Sequence, residues 1–162
     1  MFRDLSNEGV NKMRPDIAVY GRDHKLKLLV EVKSKVGASL NWVVEMRRNL
    51  LAHAIIHPSP YFLLALSDSF HLWRNAEVAD EQSPPDYSVP ASQVLAAYLK
   101  DSAISLDNIS GYGLEMLVSS WLTQIIISDL TIEAMPPEQL WLFESELYQA
   151  LQGGSIITQA AA

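Results

Sequence analysis

Two neighbouring apolar segments near the start of the chain predict a β-hairpin. Residues 16–20 (DIAVY) and 26–33 (LKLLVEVK) are rich in β-forming side chains, and the GRDHK stretch between them is typical of a turn. If the pairing is symmetric about the bond between Asp23 and His24, Asp16 lies directly across from Glu31. Side chains alternate along a strand, so Glu31 and Lys33 share one face while Val30 and Val32 point into the core.

The hairpin is followed by a segment whose pattern predicts a helix over residues 41–56. Its apolar side chains recur at helical spacing, at Val43, Met46, Leu50 and Ala54. The segment HPSP, residues 57–60, ends this helix, because proline disfavours a helical conformation in the residue before it. We therefore expect a helix packed on the strand pair.

Two further strands are predicted at residues 61–66 and 70–73, joined by the polar turn 67–69. Residues 76–90 are rich in Pro, Ser and acids and predict a surface connection. Beyond it the pattern is helical, with candidates at residues 92–100, 112–127 and 137–151.

These elements predict an α/β fold made of a small mixed sheet flanked by helices, with a helical C-terminal extension. We assign the core to residues 1–75, the connection to residues 76–90 and the extension to residues 91–162, packed together as one compact domain.

Charge is distributed unevenly along the chain. The net charge of −7 argues against a polyanionic partner, because phosphate binding needs local positive charge. Residues 1–50, however, hold ten Lys and Arg against six acids, and the remainder holds two against thirteen. A basic face towards nucleic acid and an acidic half towards solvent or another protein are therefore both compatible with the composition.

The chain has no cysteine, which excludes disulfides, thiolate metal sites and cysteine nucleophiles. The opening residues lack the basic stretch and apolar run of a secretory signal. The longest apolar run, residues 113–127, is shorter than the roughly 20 residues that span a bilayer, and predicts a buried helix. We expect a cytoplasmic protein with no membrane partner.

The opposed carboxylates of Asp16 and Glu31 are the strongest chemical signal in the sequence. Like charges across a strand pair are destabilising, and a divalent cation removes the conflict. Carboxylate oxygens suit Mg²⁺ or Mn²⁺, and the carbonyl of Val32 is a further candidate ligand. Lys33, on the same face, is placed to orient or deprotonate a metal-activated water, or to stabilise charge on phosphorus. Taken singly, Asp16 is more typical of a turn acid after proline at a strand start, and Glu31 with Lys33 of a solvent-facing salt-bridged pair. Taken together with the register, the three residues favour a metal site.

The stretches Arg-Pro-Asp16-Ile-Ala-Val and Leu-Leu-Val-Glu31-Val-Lys33 resemble the PD-(D/E)xK nuclease superfamily. The resemblance covers roughly residues 14–75. It implies a restriction-endonuclease-like core and Mg²⁺-dependent hydrolysis of DNA, with Asp16 and Glu31 as metal ligands and Lys33 as the catalytic lysine.

The chain departs from the family pattern ahead of the motif. Family members usually have a helix, often with a further acid, and a short strand before the Pro-Asp, whereas fifteen residues precede Asp16 here. Glu8 is the acid placed to substitute. A trimmed core, completion by another subunit and loss of catalysis all remain open.

Four basic residues are candidates for holding a nucleic-acid backbone: Arg14, Lys35, Arg47 and Arg48. Arg47 projects onto the apolar side of the predicted helix, where an unpaired cation is expensive, so it needs a partner. We consider two roles for it: a contact to the carboxylates or a substrate phosphate, and snorkelling to solvent.

Other residues have more ordinary interpretations. His53 and His57 have the spacing of a helical metal chelate, but the helix ends beside His57 and no third ligand is evident. Trp73, Trp121 and Trp141 are predicted to lie in the core.

The sequence therefore predicts a Mg²⁺-dependent endonuclease acting on DNA, with RNA left open as a substrate. The alternative is a nuclease-like binding or assembly module without turnover. A homodimer, or a protein partner bound through the acidic C-terminal half, stays open in both cases.

Overall fold

The computed structural model describes residues 14–158, in which six strands form a single sheet. Its spatial order is β5-β4-β3-β2-β1-β6. The strands are β1 (Ile17–Tyr20), β2 (Leu26–Lys33), β3 (Tyr61–Leu66), β4 (Ser69–Arg74), β5 (Tyr87–Pro90) and β6 (Ser155–Thr158). β2 and β3 are parallel, and the other neighbouring strands are antiparallel. The sheet is thus mixed and mostly antiparallel.

Helices cover both faces of this sheet. They are α1 (Leu40–Ala52), α2 (Ala91–Val94), α3 (Ala96–Leu99), α4 (Gly111–Ile127), α5 (Leu140–Glu144) and α6 (Leu147–Leu151). Short 3₁₀ turns lie at Leu106–Asn108, Ile132–Ala134 and Pro137–Gln139. The predicted mixed α/β architecture is confirmed.

The β1–β2 hairpin has the predicted register. Ile17 pairs with Val30 and Val19 with Leu28, and the register shifts only beside the turn, at Tyr20. The turn is closed by His24 in the left-handed region at φ 66°. Asp23 supports it, since its carboxylate accepts from the N–H of Lys25 at 3.0 Å.

Helix α1 makes the parallel crossover between β2 and β3. It begins after Ser39, whose hydroxyl accepts from the N–H of Trp42 at 3.1 Å and caps the first turn. The predicted end near residue 56 is wrong. The helix stops at Ala52, because Ala54 adopts a left-handed conformation at φ 55° and turns the chain towards β3.

The two faces of the sheet have separate cores. On one face, Val30, Val32 and their neighbours pack against α4 and the C-terminal helices. On the other, Leu29 and Leu64 pack against Val43, Met46 and Leu50 of α1. The alternation of side chains along β2 therefore places Glu31 and Lys33 on the α1 face.

The predicted extents of the connection and the C-terminal extension need correction. The segment 76–90, predicted as a surface connection, contains β5, which pairs with β4. The extension, predicted as helical, ends in β6, which pairs antiparallel with β1. The predicted helix 92–100 is interrupted at Leu95, and the predicted helix 137–151 at Glu146, whose φ is 66°. The C-terminal part thus completes the sheet as well as covering it.

No helix among residues 14–158 is long and apolar enough to cross a membrane.

Candidate functional site

Asp16 and Glu31 meet at the end of the β1–β2 hairpin. Continuing the observed register by one residue beyond Ile17 and Val30 places Asp16 opposite Glu31, as predicted. Both side chains are buried, with Asp16 7% exposed and Glu31 0% exposed. Two acids therefore lie across from each other inside the protein, where charged groups require compensation.

A hydrogen bond ties Asp16 to β2. Its Oδ2 accepts from the main-chain N–H of Val32 at 2.8 Å. In an extended strand the N–H and C=O of one residue point to the same side, so the Val32 carbonyl is directed towards the Asp16 side of β2. The carboxylate and this carbonyl are thus brought to one edge of the strand.

Lys33 is the last residue of β2 and is 7% exposed. The chain after it is fixed, because the N–H of Lys35 donates to the Lys33 carbonyl at 2.9 Å and the N–H of Ser67 donates to the Lys35 carbonyl at 3.1 Å. The interpretation of Glu31 and Lys33 as a solvent-facing pair is therefore wrong, since both are buried on the α1 face of the sheet.

A cavity of about 240 Å³ opens on the same face of the sheet. Ala18 and Leu29, which line it, lie two residues from Asp16 and Glu31 along their strands, so the cavity neighbours the carboxylates. Its other described lining residues are Arg14, Pro15, Tyr20, Leu26, His57, Ile157 and Thr158. Arg14 is exposed at its rim and brings a cation to this side of the site.

The site offers few candidate ligands for a metal ion. Among the described residues, no group of three or more His, Cys, Asp or Glu side chains is arranged to hold a metal ion. The oxygen donors brought together are the carboxylates of Asp16 and Glu31 and the carbonyl of Val32, which fit a hard divalent cation that retains several waters. Glu8, the further acid suggested by the sequence, lies outside the described residues.

Arg47 is buried and bonded to main-chain carbonyls. It is 1% exposed, and its guanidinium donates to the carbonyls of Asp80 at 3.0 Å and Ala76 at 3.3 Å. It also lies over the ring of Trp73, 5.4 Å from the centroid. Burial lowers the pKa of Arg47, and the charge of Asp80 acts in the opposite direction. Arg47 thus holds the 76–80 segment against the sheet and does not snorkel to solvent.

The remaining basic candidates lie nearer the surface. Lys35 Nζ sits over the ring of Trp42, 4.8 Å from its centroid, and Arg48 is half-buried on α1. Lys27 pairs with Asp23 at 3.1 Å in the hairpin turn. Lys27, Lys35 and Arg48 therefore place positive charge in the same N-terminal third of the chain as Asp16 and Glu31.

The other sequence interpretations are resolved by the positions of the side chains. His53 is the C-cap of α1 and its Nδ1 contacts the carbonyl of Asn49 at 2.9 Å, while His57 lies beyond the helix at the cavity. The helical chelate therefore does not form. The core assignment is confirmed for Trp73, Trp121 and Trp141.

A polar cluster on the α1 face was not predicted. His71 of β4 shares hydrogen bonds with Ser69 at 2.9 Å and Ser88 at 2.8 Å, and lies in the same cross-strand row as Glu31, with Leu64 between them. Burial lowers the pKa of His71, and the charge of Asp68 acts in the opposite direction. The sequence signal was the alternation Ser69-Phe70-His71, which places both polar side chains on one face.

A larger cavity of about 470 Å³ lies on the opposite side of the sheet, between α2, α3, α4 and the residues that follow α4. It is lined mainly by apolar side chains, including Trp121 and Ile125, and contains no Lys or Arg. Its lining therefore offers no cationic side chain to a phosphate, and the carboxylate site is the better candidate for phosphodiester chemistry.

Comparison with protein-family models, with curated proteins and with solved structures found no match. Any functional assignment therefore depends on the geometry of the site.

Proposed function

We propose that this protein is a metal-dependent nuclease that hydrolyses DNA phosphodiester bonds at the Asp16–Glu31–Lys33 site. The observation that carries the proposal is the hairpin register, which sets two buried carboxylates opposite each other with a lysine two residues further along the same strand. A divalent cation bound between two opposed carboxylates would offset their like charges.

The order of elements supports the proposed relationship to restriction-endonuclease-like cores. An antiparallel hairpin carries the acids, a crossover helix follows, and the next strand lies parallel to the strand of Glu31. The strand β6 adds to the outer edge of β1, so the strand bearing Asp16 at its start has a neighbour on both sides. This placement supports a site built on rigid elements, as a catalytic constellation requires.

In the proposed mechanism, Asp16 and Glu31 would hold Mg²⁺ or Mn²⁺, and the Val32 carbonyl would be a third oxygen donor. The bound ion supplies Lewis-acid chemistry, lowering the pKa of a water and neutralising charge on the phosphate. The Lys33 ammonium would orient the attacking water and stabilise negative charge on phosphorus while the new P–O bond forms and the P–O bond to the leaving sugar oxygen breaks. The proton of the water would pass to solvent, and the leaving oxygen would take a proton from solvent. Asp16 is held in position by the Val32 N–H, which donates to its Oδ2.

Substrate positioning falls to basic residues around this site. Arg14 lines the neighbouring cavity, and Lys35 lies two residues beyond the end of β2. Arg48 is exposed enough to contact solvent, unlike Arg47. Salt-dependent contacts of these side chains with the phosphate backbone would offset the net negative charge of the chain.

The second candidate function is a nuclease-like binding or assembly module without turnover. The observation that favours it is burial, since Glu31 is 0% exposed and Lys33 7% exposed. A catalytic lysine must reach the scissile phosphate, and side chains packed under α1 would need the helix or its flanking loop to move first.

A cleavage assay with matched lysine variants tests the proposal. Linear, nicked and single-stranded DNA, with RNA in parallel, is incubated with wild type, Lys33→Met and Lys27→Met in Mn²⁺ and in EDTA. Both substitutions remove one positive charge from β2, but Lys27 is a surface residue paired with Asp23. We expect metal-dependent cleavage that falls about a hundredfold or more in Lys33→Met and is retained in Lys27→Met.

Glu31→Gln provides the corresponding test of the metal ligand, because the substitution preserves side-chain volume while removing the charge. Its folding is checked by near-ultraviolet circular dichroism. Binding of nucleic acid by the wild type without cleavage in any metal would support the binding module and contradict the nuclease.

A further inference from the structure

Helix α4 presents to solvent a face that is nearly free of charge. Its inner face packs against the sheet and the C-terminal helices through Leu114, Val118, Trp121, Leu122 and Ile125. Glu115 is the single charged residue along the helix. A surface helix ordinarily carries charged side chains on its outer face, whereas a helix that is apolar all round is covered on all sides.

Large apolar side chains stand out from this outer face. Tyr112 is 67% exposed, Met116 51% and Ile127 68%. Together with Ser120 and Thr123 they recur at intervals of three or four residues, so they form one narrow line along the helix. This line, which we call the α4 stripe, lies opposite the buried face.

The α4 stripe is self-complementary. A two-fold axis through the bond between Ser119 and Ser120 would set Tyr112 of one antiparallel helix against Ile127 of its partner, and Met116 against Thr123. Large apolar side chains then occupy both ends of the contact. The small hydroxyl side chains at the centre allow the two helix backbones to approach closely.

We propose that α4 forms the interface of a two-fold symmetric homodimer, with the α4 stripes of two copies packed antiparallel. An isologous interface requires a surface that is complementary to itself, and the stripe has this property. The proposal stands independently of the nuclease assignment, because no residue of the stripe belongs to the carboxylate site.

Charge explains why a second copy fits this face. The chain carries a net charge of −7, so two copies repel each other over most orientations. Within the stripe there is no charged residue, and contact there brings no like charges into direct opposition. A basic or acidic partner would find no complementary charge on this face.

The size of the stripe sets the strength of the contact. The 17-residue helix is about 26 Å long, and one helix face is smaller than the roughly 800 Å² per partner of a standard interface. Leu130 and Ile132, 43% and 52% exposed, follow the helix, but the exposed acids Asp129 and Glu133 lie beside them and limit the apolar surface. We therefore expect a concentration-dependent dimer and not an obligate one.

Sedimentation of the full chain between about 1 and 200 µM tests this interface. Wild type should convert from monomer to dimer across this range. Met116→Glu, which puts a charge within the stripe, should raise the dimer dissociation constant about tenfold or more. The control is Val78→Glu, an 80% exposed apolar residue away from α4, which should leave the constant unchanged.

Crosslinking locates the two-fold axis. Because the chain has no cysteine, Ser120→Cys carries a single thiol, and a short bismaleimide should join two copies through it far faster than it joins two copies of Val78→Cys. A wild type that stays monomeric throughout the range overturns the proposal and leaves the stripe to a different protein. A dimer that persists in Met116→Glu and does not crosslink through residue 120 also overturns it.

Discussion

The carboxylate of Asp16 accepts a 2.8 Å hydrogen bond from the N–H of Val32, the residue between Glu31 and Lys33. This bond crosses from the start of β1 to the end of β2, so it fixes the relative position of all three candidate site residues. A main-chain donor also remains available whether or not a metal is bound. Asp16 therefore has a structural role in addition to the proposed metal-binding role.

The two roles of Asp16 are separable by substitution. Asp16→Ala leaves the buried N–H of Val32 without its acceptor, and should lower the free energy of unfolding by about 1–3 kcal/mol. Asp16→Asn keeps an acceptor oxygen for the Val32 N–H, so it should lose less stability than Asp16→Ala. Urea denaturation of the three proteins measures both effects. Equal destabilisation in Ala and Asn would contradict the structural role.

Arg47 is predicted to matter for stability. Arg47→Met keeps the aliphatic packing against Trp73 but removes the donors to Ala76 and Asp80, and should destabilise the protein by about 2 kcal/mol. Limited proteolysis should cut the released segment around Asp80 faster than in wild type. Nucleic-acid affinity, measured below the unfolding transition, should stay unchanged. A selective loss of affinity with normal stability would place Arg47 at the substrate instead.

His71 should make stability depend on pH. Burial lowers its pKa in the folded protein below the ordinary value of 6.5, so the unfolded chain binds the proton more readily. Its contribution is fully present above pH 6.5 and is lost as pH falls through the folded pKa. Urea denaturation from about pH 7.5 to 5.5 should show this decline in wild type and in His53→Gln, an exposed control. In His71→Gln the free energy of unfolding should depend less on pH over this range. An unchanged pH dependence would exclude His71 as the cause.

The close approach of Gly154 to β1 should make this position intolerant of a side chain. A Cβ there would lie 2.0 Å from the carbonyl oxygen of Tyr20, so Gly154→Ala must displace β6. We expect a loss of about 1–3 kcal/mol, as for other overpacked sites. Gly111→Ala, at the start of α4 with nothing within 4 Å of the added carbon, should instead be neutral or gain up to about 1 kcal/mol. Thermal unfolding of the two variants measures these effects. Equal effects of Gly154→Ala and Gly111→Ala would contradict the close approach of Gly154 to β1.

The hairpin was predictable because its information is local. The turn around Asp23 and His24 and the alternation of β2 are enough to set the register from Ile17 to Val30. The same alternation identified the face shared by Glu31 and Lys33. It could not show that α1 buries this face, because helix packing depends on residues distant along the chain.

The strands β5 and β6 and the contacts of Arg47 could not be predicted, because they depend on residues distant along the chain. β5 contains Pro90 and follows two prolines, and β6 is four residues long, so neither has a strand pattern of its own. Each becomes a strand by pairing with β4 or β1. Similarly, Arg47 finds carbonyl partners about thirty residues away, which no local pattern indicates.

Calorimetric titration of Mn²⁺ tests the central claim most directly, because it measures the cation and not a downstream activity. Wild type and Asp23→Asn, a surface control in the hairpin turn, should bind the ion with the same affinity. Asp16→Asn, which keeps the fold, should lose binding. An isotherm that is identical in Asp16→Asn and wild type, or no binding by the wild type, would contradict a metal site at Asp16 and Glu31.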